Sequence, residues 1–184
     1  MEFGPKIHGR RSIRLQGYDY SQAGAYFVTI VAWRREMLFG EMVDGKTVLN
    51  DFGRIVCEEW ERTAAVRQHV DLGAFVVMPN HIHGILVFTD NLMNDVTVGA
   101  TRRVAPTRPT LRSGSLGAVI GQFKSLVTKR INRLQNVAGR PIWQRNYYER
   151  IIRNEREMDR ITRYIESNPT RWAEDEENPN RIKP

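Results

Sequence analysis

The sequence predicts an α+β fold built on an antiparallel sheet, in roughly one domain without disulfides, and three features of the chain lead to these predictions. Short apolar segments rich in β-branched and aromatic residues alternate with longer segments whose apolar residues recur at helical spacing. The 184 residues are 41% hydrophobic and 27% charged, which is an ordinary globular composition for a chain of roughly one domain. Cys57 is the only cysteine, which excludes a disulfide framework and a zinc site built on several thiolates.

The first half of the chain contains three predicted strands, a hairpin and a helix. The strands are β-branched and apolar, the hairpin turn is an Asp-Gly pair, and the helix begins at a capping residue. In chain order we expect a strand over 25–33 (AYFVTIVAW), a hairpin around Asp44-Gly45 that ends near Leu49, a helix from Asn50 or Asp51 to about Val66, a strand over 70–78 and, after the turn at Pro79-Asn80, a strand over 81–88.

The second half supplies two helices and one more strand. We expect a polar loop over 91–114, a helix from Ser115 to about Leu134, a strand over 142–152 and a helix from Asn154 to about Ser167. The first six elements follow the βαββαβ order of ferredoxin-like domains, an antiparallel sheet with helices on one face, and a C-terminal helix is added to them. We therefore divide the chain into a basic arm over 1–24, a domain over 25–169 and an acidic, flexible tail over 170–184.

The charge distribution indicates a polyanionic partner. The formal net charge is +7, and no acidic residue occurs between positions 96 and 148, where ten lysine and arginine residues lie. The repulsion among these like charges is most easily tolerated by a protein that binds phosphates, although a solvated basic surface is the alternative. No apolar run approaches the roughly 20 residues of a membrane helix, and no signal peptide is recognisable. We expect a cytoplasmic protein, associated with the nucleoid, and no membrane partner.

Two of the four histidines indicate a metal site. His81 and His83 lie two residues apart in the third strand, so they share one face of the sheet while Ile82 points into apolar packing. Two imidazoles on one face can chelate a metal ion. Two polar residues on a solvated face are the alternative, but the apolar segments 76–78 and 85–88 indicate a central strand, where ionisable side chains are costly without a role.

The final helix places a tyrosine and an amide on one face. Tyr164 and Asn168 are four residues apart, beside the apolar positions Ile161 and Ile165. From spacing alone, Tyr164 is equally explained as a half-buried packing residue, and Asn168 as a helix-terminal residue before Pro169. Both interpretations stay open at this point.

Three segments of the chain form a combined pattern: VVMPNHIHGILVF, WQRNYYERIIRNE and ITRYIESNP. Together they resemble the single-tyrosine HUH transposases, and most of all the branch of REP-associated tyrosine transposases. HUH denotes two histidines around a hydrophobic residue, here His81-Ile82-His83. The resemblance extends from about Arg10 to Pro169 and so covers nearly the whole chain.

The resemblance implies a site and a chemistry. His81 and His83 correspond to metal ligands, Asn168 to a third ligand, and Tyr164 to the nucleophile, with Mg²⁺ or Mn²⁺ as the cofactor. The implied function is that of a metal-dependent endonuclease and strand transferase, a transposase that cuts single-stranded DNA through a 5′-phosphotyrosine intermediate. Tyr147 and Tyr148 are rival nucleophiles, of which only one can face the site because they alternate on a strand.

The resemblance also implies a partner, namely single-stranded DNA folded into a hairpin with a short adjacent guide sequence. The protein is expected to be a monomer or a homodimer. Candidate phosphate contacts, which position DNA without reading its sequence, are Arg10, Arg11, Arg14, Lys124, Lys129, Arg130, Arg133 and Arg145.

Two other functions compete with this hypothesis. One is a catalytically idle protein that binds DNA hairpins on the same fold. The other is a metallohydrolase with a His-x-His site, which the element order and Gly84 directly after the histidine pair disfavour.

Overall fold

The computed structural model describes residues 19–20, 22–89 and 114–181. Most of the predicted arm lies outside the described residues, including Arg10, Arg11 and Arg14, and so does nearly all of the predicted loop over 91–114.

The described part of the chain contains nine helices and strands and two short 3₁₀ turns, at Trp33–Arg35 and Pro169–Glu174. Asn50, Ser115 and Asn154 each accept backbone N–H groups at the start of a helix, as their sequence positions predict. The elements are β1 (Gly24–Val31), β2 (Gly40–Val43), β3 (Lys46–Leu49), α1 (Asp51–Ala65), β4 (Val70–Met78), β5 (His81–Phe88), α2 (Leu116–Leu134), β6 (Tyr148–Ile152) and α3 (Glu155–Ser167).

The four long strands form one antiparallel sheet in the order β4-β5-β1-β6. This order confirms the predicted ferredoxin-like α+β fold, in which the first and third strands of the βαββαβ unit lie at the centre. The β2–β3 hairpin forms a separate two-stranded sheet, with Asp44 and Gly45 at its turn.

Side chains of β1 alternate between two apolar clusters on opposite faces of the sheet. Tyr26 and Val28 belong to the larger cluster, which contains the buried faces of α1 and α2. Phe27 belongs to the smaller cluster, with Ile161 and Ile165 of α3. Two helices therefore cover one face and α3 covers the other, because the period of a strand is two.

The predicted strand over 142–152 is only partly correct, since its regular part is β6. Residues near Trp143 pair with the end of β1 through an isolated bridge to Ala32 and through Gln144 N–H, which donates to Val31 O at 2.9 Å. The Lys124 ammonium donates to the carbonyls of Gln144 at 2.6 Å and Arg145 at 3.0 Å. Both carbonyls therefore accept hydrogen bonds from a side chain, and regular pairing with β1 is found only at β6.

The expectation of a flexible tail is not met by residues 170–181, which fold against the rest of the domain. The chain continues after α3 into the 3₁₀ turn, and the Asn178 amide donates to Trp172 O at 3.0 Å. The Glu177 side chain is buried and pairs with Arg35 at 2.9 Å. In the described part of the chain, no helix is long and apolar enough to cross a membrane.

Two glycine substitutions test the packing of the sheet on α1. A Cβ at Gly84 would lie 2.8 Å from Cη2 of Trp60 and closer still to its Cζ2, and the Trp60 ring stacks on Phe75 at 4.7 Å. Gly84→Ala should therefore lower the free energy of unfolding by about 1–3 kcal/mol, since the core cannot move aside without strain.

Gly121→Ala is the matched control. No atom lies within 4 Å of a Cβ added at this exposed position in α2, so the change should raise the free energy of unfolding by about 0.5–1 kcal/mol. Urea unfolding followed by circular dichroism measures both variants, and a neutral Gly84→Ala would contradict the described packing.

Candidate metal centre and nucleophile

The two histidines of β5 face α3 and are buried, with exposures of 0% for His81 and 3% for His83. Their position follows from the strand register, in which Thr29 lies opposite His83 and Val31 opposite His81. The two Nε2 atoms are 3.0 Å apart. Two nitrogens that bind one ion at about 2.1 Å and at a right angle would be separated by about 3 Å, so this spacing fits chelation.

Asn80 fixes the orientation of the His81 ring. Its amide nitrogen donates to Glu177 O at 2.7 Å and to Arg35 O at 3.3 Å, so its Oδ1 faces His81 Nδ1 at 2.9 Å. An amide oxygen can only accept, and Nδ1 therefore carries the proton while Nε2 keeps its lone pair. Thr29 Oγ1 contacts His83 Nδ1 at 2.8 Å, and this contact holds the second ring in place.

Asp175, which the sequence analysis did not identify, brings a carboxylate to the histidine pair. Its Oδ2 is 3.9 Å from His81 Nε2 and 4.0 Å from His83 Nε2. Burial alone would raise the pKa of this carboxyl, but hydrogen bonds and the neighbouring His83 and His81 outweigh burial and hold the pKa well below its usual range. The group His81, His83 and Asp175 could hold a metal ion, because one ligand atom from each lies within 4.8 Å of the others.

Asn168, the predicted third ligand, lies beside this group. Its Nδ2 donates to Asp175 Oδ2 at 3.1 Å, and its Oδ1 is buried without a hydrogen-bond partner. A buried, unpartnered oxygen next to two imidazoles and a carboxylate is well suited to a cation. The donor set of nitrogen and oxygen atoms fits a divalent ion, and the ligand role of Asn168 stays a prediction.

Tyr164 points its phenol at the same group. Tyr164 Oη is 3.3 Å from His83 Nε2, and its side chain is 42% exposed. Burial and the negative charges of Asp175 and Glu176 raise the pKa of the phenol to about 12, against a smaller opposing effect from Asn168. The phenol is therefore protonated at neutral pH, and any reaction in which it attacks must remove its proton.

The rival tyrosines occupy different positions. Tyr147 packs partly buried against the larger apolar cluster. Tyr148 pairs with Thr29 in the β1–β6 ladder, is 41% exposed, and its ring lies 6.1 Å from that of Phe27. The ring of Tyr164 lies 6.0 Å from the same phenylalanine, so the two exposed tyrosines flank Phe27.

Five predicted DNA contacts lie in the described residues, and the structure separates them into two groups. Lys124 holds the Gln144 and Arg145 carbonyls, and Arg130 pairs with Glu58 and, at 2.9 Å, with the buried Glu59. The side chains of Lys129, Arg133 and Arg145 have no such bond among the described residues, and together with Lys124 these residues line a cleft of about 800 Å³ beside the second half of α2.

No family model matches the chain. An uncharacterized protein of Haemophilus influenzae is 35% identical over 175 residues, which is 95% of this chain and 96% of that protein. A solved structure of a REP-associated tyrosine transposase bound to a REP hairpin has a TM-score of 0.58 at 18% identity, and the match covers 86% of this chain and 73% of that chain. A structure from Deinococcus radiodurans R1 matches with a TM-score of 0.43 at 15% identity, over 83% of this chain and 95% of that chain.

The antiparallel sheet and the histidine pair on one of its central strands, next to a tyrosine from α3, define a protein with the fold of the HUH transposases. The predicted resemblance is thereby confirmed for the fold. The chain belongs to one family with the Haemophilus influenzae protein, because their similarity extends over almost the full length of both.

Metal binding should stabilise the folded chain through the histidine–aspartate group. Mn²⁺ is expected to raise the melting temperature, because a ligand that binds only the folded state shifts the unfolding equilibrium. Asp175→Asn should weaken the affinity for Mn²⁺ by about tenfold or more, and His83→Ala should abolish the stabilisation. Calorimetric titration and thermal unfolding measure these effects.

His69→Gln serves as the control, since His69 is not part of the group formed by the described residues. This variant should bind Mn²⁺ as the wild type does. An unchanged affinity in Asp175→Asn would remove Asp175 from the ligand set.

Lys124 should make stability depend on pH in the alkaline range. Burial lowers the pKa of its ammonium to about 8, against 10.5 as the ordinary value. Between these two pH values the unfolded chain binds the proton that the folded chain has lost, so the wild type should gain stability relative to Lys124→Gln as the pH rises. Urea unfolding of both proteins across this range measures the difference, and a constant difference would show that the ammonium is well solvated.

Proposed function

We propose that this protein is a metal-dependent single-stranded DNA endonuclease and strand transferase, a transposase that acts on hairpin DNA through a 5′-phosphotyrosine. The observation that carries this proposal is the 3.3 Å contact between Tyr164 Oη and His83 Nε2, at the edge of the buried group of His81, His83 and Asp175. A phenol held beside a metal-binding group is an arrangement that suits nucleophilic attack on a phosphodiester.

The chain's own residues prepare the attack. Asn80 and Thr29 hold the two imidazole rings so that both Nε2 atoms face one another. Tyr164 Oη lies 3.3 Å from His83 Nε2, which places the phenol at the edge of the group. A divalent cation bound to His81, His83, Asp175 and Asn168 would polarise a phosphate oxygen and offset the negative charge that raises the Tyr164 pKa.

The covalent step balances without a further reactant. Tyr164 Oη forms a bond to phosphorus as the bond between phosphorus and the 3′ oxygen breaks, the phenol gives up its proton, and the leaving 3′ oxygen takes one. The products are a 5′-phosphotyrosine and a free 3′-hydroxyl. The phosphodiester energy is kept in the covalent bond, so a second 3′-hydroxyl can rejoin strands without a nucleotide cofactor.

DNA as the substrate is supported by charge and by the related fold. The acid-free stretch between positions 96 and 148 includes the four cationic residues that line the cleft, and the REP-associated transposase of the same fold was solved with a REP hairpin. Oxygen donors on Asp175 and Asn168 favour Mg²⁺ or Mn²⁺ as the metal.

A covalent-adduct assay tests the proposal. The protein is incubated with labelled hairpin DNA that carries unpaired flanks, with Mn²⁺, with Mg²⁺ or with EDTA, and is analysed on denaturing gels. We expect an adduct that survives detergent and needs the metal, and a loss of about 10³-fold or more in Tyr164→Phe because the nucleophile is gone.

Tyr148→Phe is the matched control, since Tyr148 has nearly the same exposure and the same ring neighbour as Tyr164. It should form the adduct at a rate close to that of the wild type. An adduct that persists in Tyr164→Phe and vanishes in Tyr148→Phe would move the nucleophile to β6. Tight binding without any adduct would favour an idle hairpin-binding protein instead.

A further inference from the structure

Two pairs of side chains lie across the space between β6 and α3, and only one of these pairs is bonded. Arg150 of β6 pairs with Glu157 of α3, with Arg150 Nη2 2.6 Å from Glu157 Oε1. Tyr148 and Tyr164 form the other pair, on either side of Phe27, and no ring contact among the described residues joins the two tyrosines. We call the space between them the tyrosine gap, and it is open to solvent because both tyrosines are exposed.

The strand register and the helix period place both pairs. Tyr148 lies opposite Thr29, and Thr29 lies opposite His83, so Tyr148 is on the face of the sheet that carries the histidines. Two strand spacings, about 10 Å, separate the backbone of Tyr148 from that of His83. On α3, Glu157 and Tyr164 are seven residues apart, which is about two turns, so they project from the same side. The tyrosine gap therefore borders the metal centre.

Little of the internal packing depends on Tyr148. It is the first residue of β6, which is an edge strand of the sheet, and its hydroxyl forms no hydrogen bond within the described part of the chain. The buried residues of the smaller apolar cluster do not include it. Its ring meets that of Phe27 at an angle of 67°, so the two rings are not stacked. An exposed ring that is not stacked within the protein is available to a planar ligand.

The floor of the tyrosine gap is fixed before a ligand binds. The Phe27 ring is buried and stacks on that of His83, with centroids 5.4 Å apart. The pair of Arg150 and Glu157 closes the gap on the side away from His81, because Arg150 lies opposite Phe27 in the register. A floor that is already ordered loses little conformational entropy on binding.

The charges beside the tyrosine gap favour a base over a phosphate as its ligand. Arg150 is the cation that follows Tyr148 on the same face of β6, and its charge is paired with Glu157. The walls of the gap are aromatic rings, which bind the flat face of any base.

The covalent step of the proposed function determines which nucleotide lies at the gap. In-line attack requires the leaving 3′ oxygen on the side of phosphorus opposite Tyr164 Oη. The nucleotide that carries this oxygen is therefore directed away from Tyr164. The nucleotide on the other side of the scissile phosphate keeps that phosphate and becomes bonded to Tyr164, so its base is the one beside Tyr148. We call it the retained nucleotide.

We propose that Tyr148 stacks on the base of the retained nucleotide and thereby positions the scissile phosphate for attack by Tyr164. This inference rests on the proposed function. Stacking on a tyrosine ring does not depend on which base is present, so Tyr148 orients the strand without reading its sequence. The same contact holds the covalently bound strand in place after cleavage, while a second 3′-hydroxyl approaches.

An adduct assay with abasic DNA tests this role. The cleavage position is first read from the length of the released labelled strand. Three hairpins with unpaired flanks are then compared: an intact one, one without the base of the retained nucleotide, and one without the base of the leaving nucleotide. Single-turnover rates of adduct formation are measured with Mn²⁺ at protein concentrations below saturation, for the full-length wild type, Tyr148→Ala and Tyr148→Phe.

We expect Tyr148→Ala to slow adduct formation on the intact hairpin by about tenfold, because a stacked base is lost. Tyr148→Phe keeps the ring and should stay within about twofold of the wild type. Without the base of the retained nucleotide, the wild type should slow to the rate of Tyr148→Ala, and the two proteins should no longer differ. Without the base of the leaving nucleotide, the tenfold difference between them should remain.

Two controls separate this contact from a structural role of Tyr148. Val48→Ala truncates an exposed apolar side chain on β3, in the separate two-stranded sheet, and should leave all rates within about twofold of the wild type. Tyr148→Ala should keep the wild-type rise in melting temperature with Mn²⁺, since Tyr148 is not part of the histidine–aspartate group.

The outcomes distinguish this inference from the proposed function. If Tyr148→Ala slows the reaction equally on all three hairpins, Tyr148 acts through the fold, and if it slows none, Tyr148 does not contact the strand; either result overturns the inference while the proposed function stands. A difference that disappears only without the base of the leaving nucleotide would assign Tyr148 to the wrong side of the phosphate and also overturns the inference. If the wild type forms no adduct with any hairpin, the proposed function fails and the inference fails with it.

Discussion

The alternation of side chains along β5 decides what each face of the sheet can do. His81, His83 and Ile85 share the face under α3, while Ile82 and Gly84 share the face under α1 and α2. A shift of one residue in the pairing with β1 would bury the imidazoles under Trp60 and expose apolar residues at the metal centre. The core and the site are therefore fixed by the same register, and neither can change alone. Gly84 follows from this constraint, since the ring of Trp60 occupies the space of a Cβ.

The sheet supplies two ligands, and the segment after α3 completes the site. Asp175 reaches the histidines because the 3₁₀ turn folds back, and Glu177 O accepts from the Asn80 amide that orients His81. Asn80 thus joins three parts of the chain: the turn after β1, the start of β5 and the tail. A buried carboxylate is costly unless it is paired, and here hydrogen bonds from Asn168 and from the backbone of Glu177 support it.

Most of the fold was predictable because each element carries its own local signals. Asn50, Ser115 and Asn154 mark the helix starts, and the apolar spacing sets the period of each segment. The start of β6 was not predictable, since residues 142–147 have the composition of a strand, and the Lys124 ammonium that binds two of their carbonyls comes from the distant helix α2.

The site was predictable only in part, because some of its residues are brought together by contacts between distant parts of the chain. The spacing of His81 and His83 indicated a metal site directly, whereas Tyr164 and Asn168 stood out only through the family resemblance. Asp175 lies in an acidic run whose composition is typical of a solvated tail. No local pattern connects it with a strand more than ninety positions earlier, because the contact depends on how the chain turns after α3.

Some basic residues of α2 form ion pairs within the protein, and others are left unpaired among the described residues. Arg130 pairs with the buried Glu59 and so links α2 to α1, whereas Lys129 and Arg133 have no such partner among the described residues. Two like charges four residues apart destabilise a helix by a few tenths of a kcal/mol. Their place near the C-terminal end of α2 lowers that cost, because the helix dipole favours cations there. A helix can therefore keep unpaired cations at its C-terminal end with little loss of stability, and α2 presents them at the end of the sheet where His81 also lies.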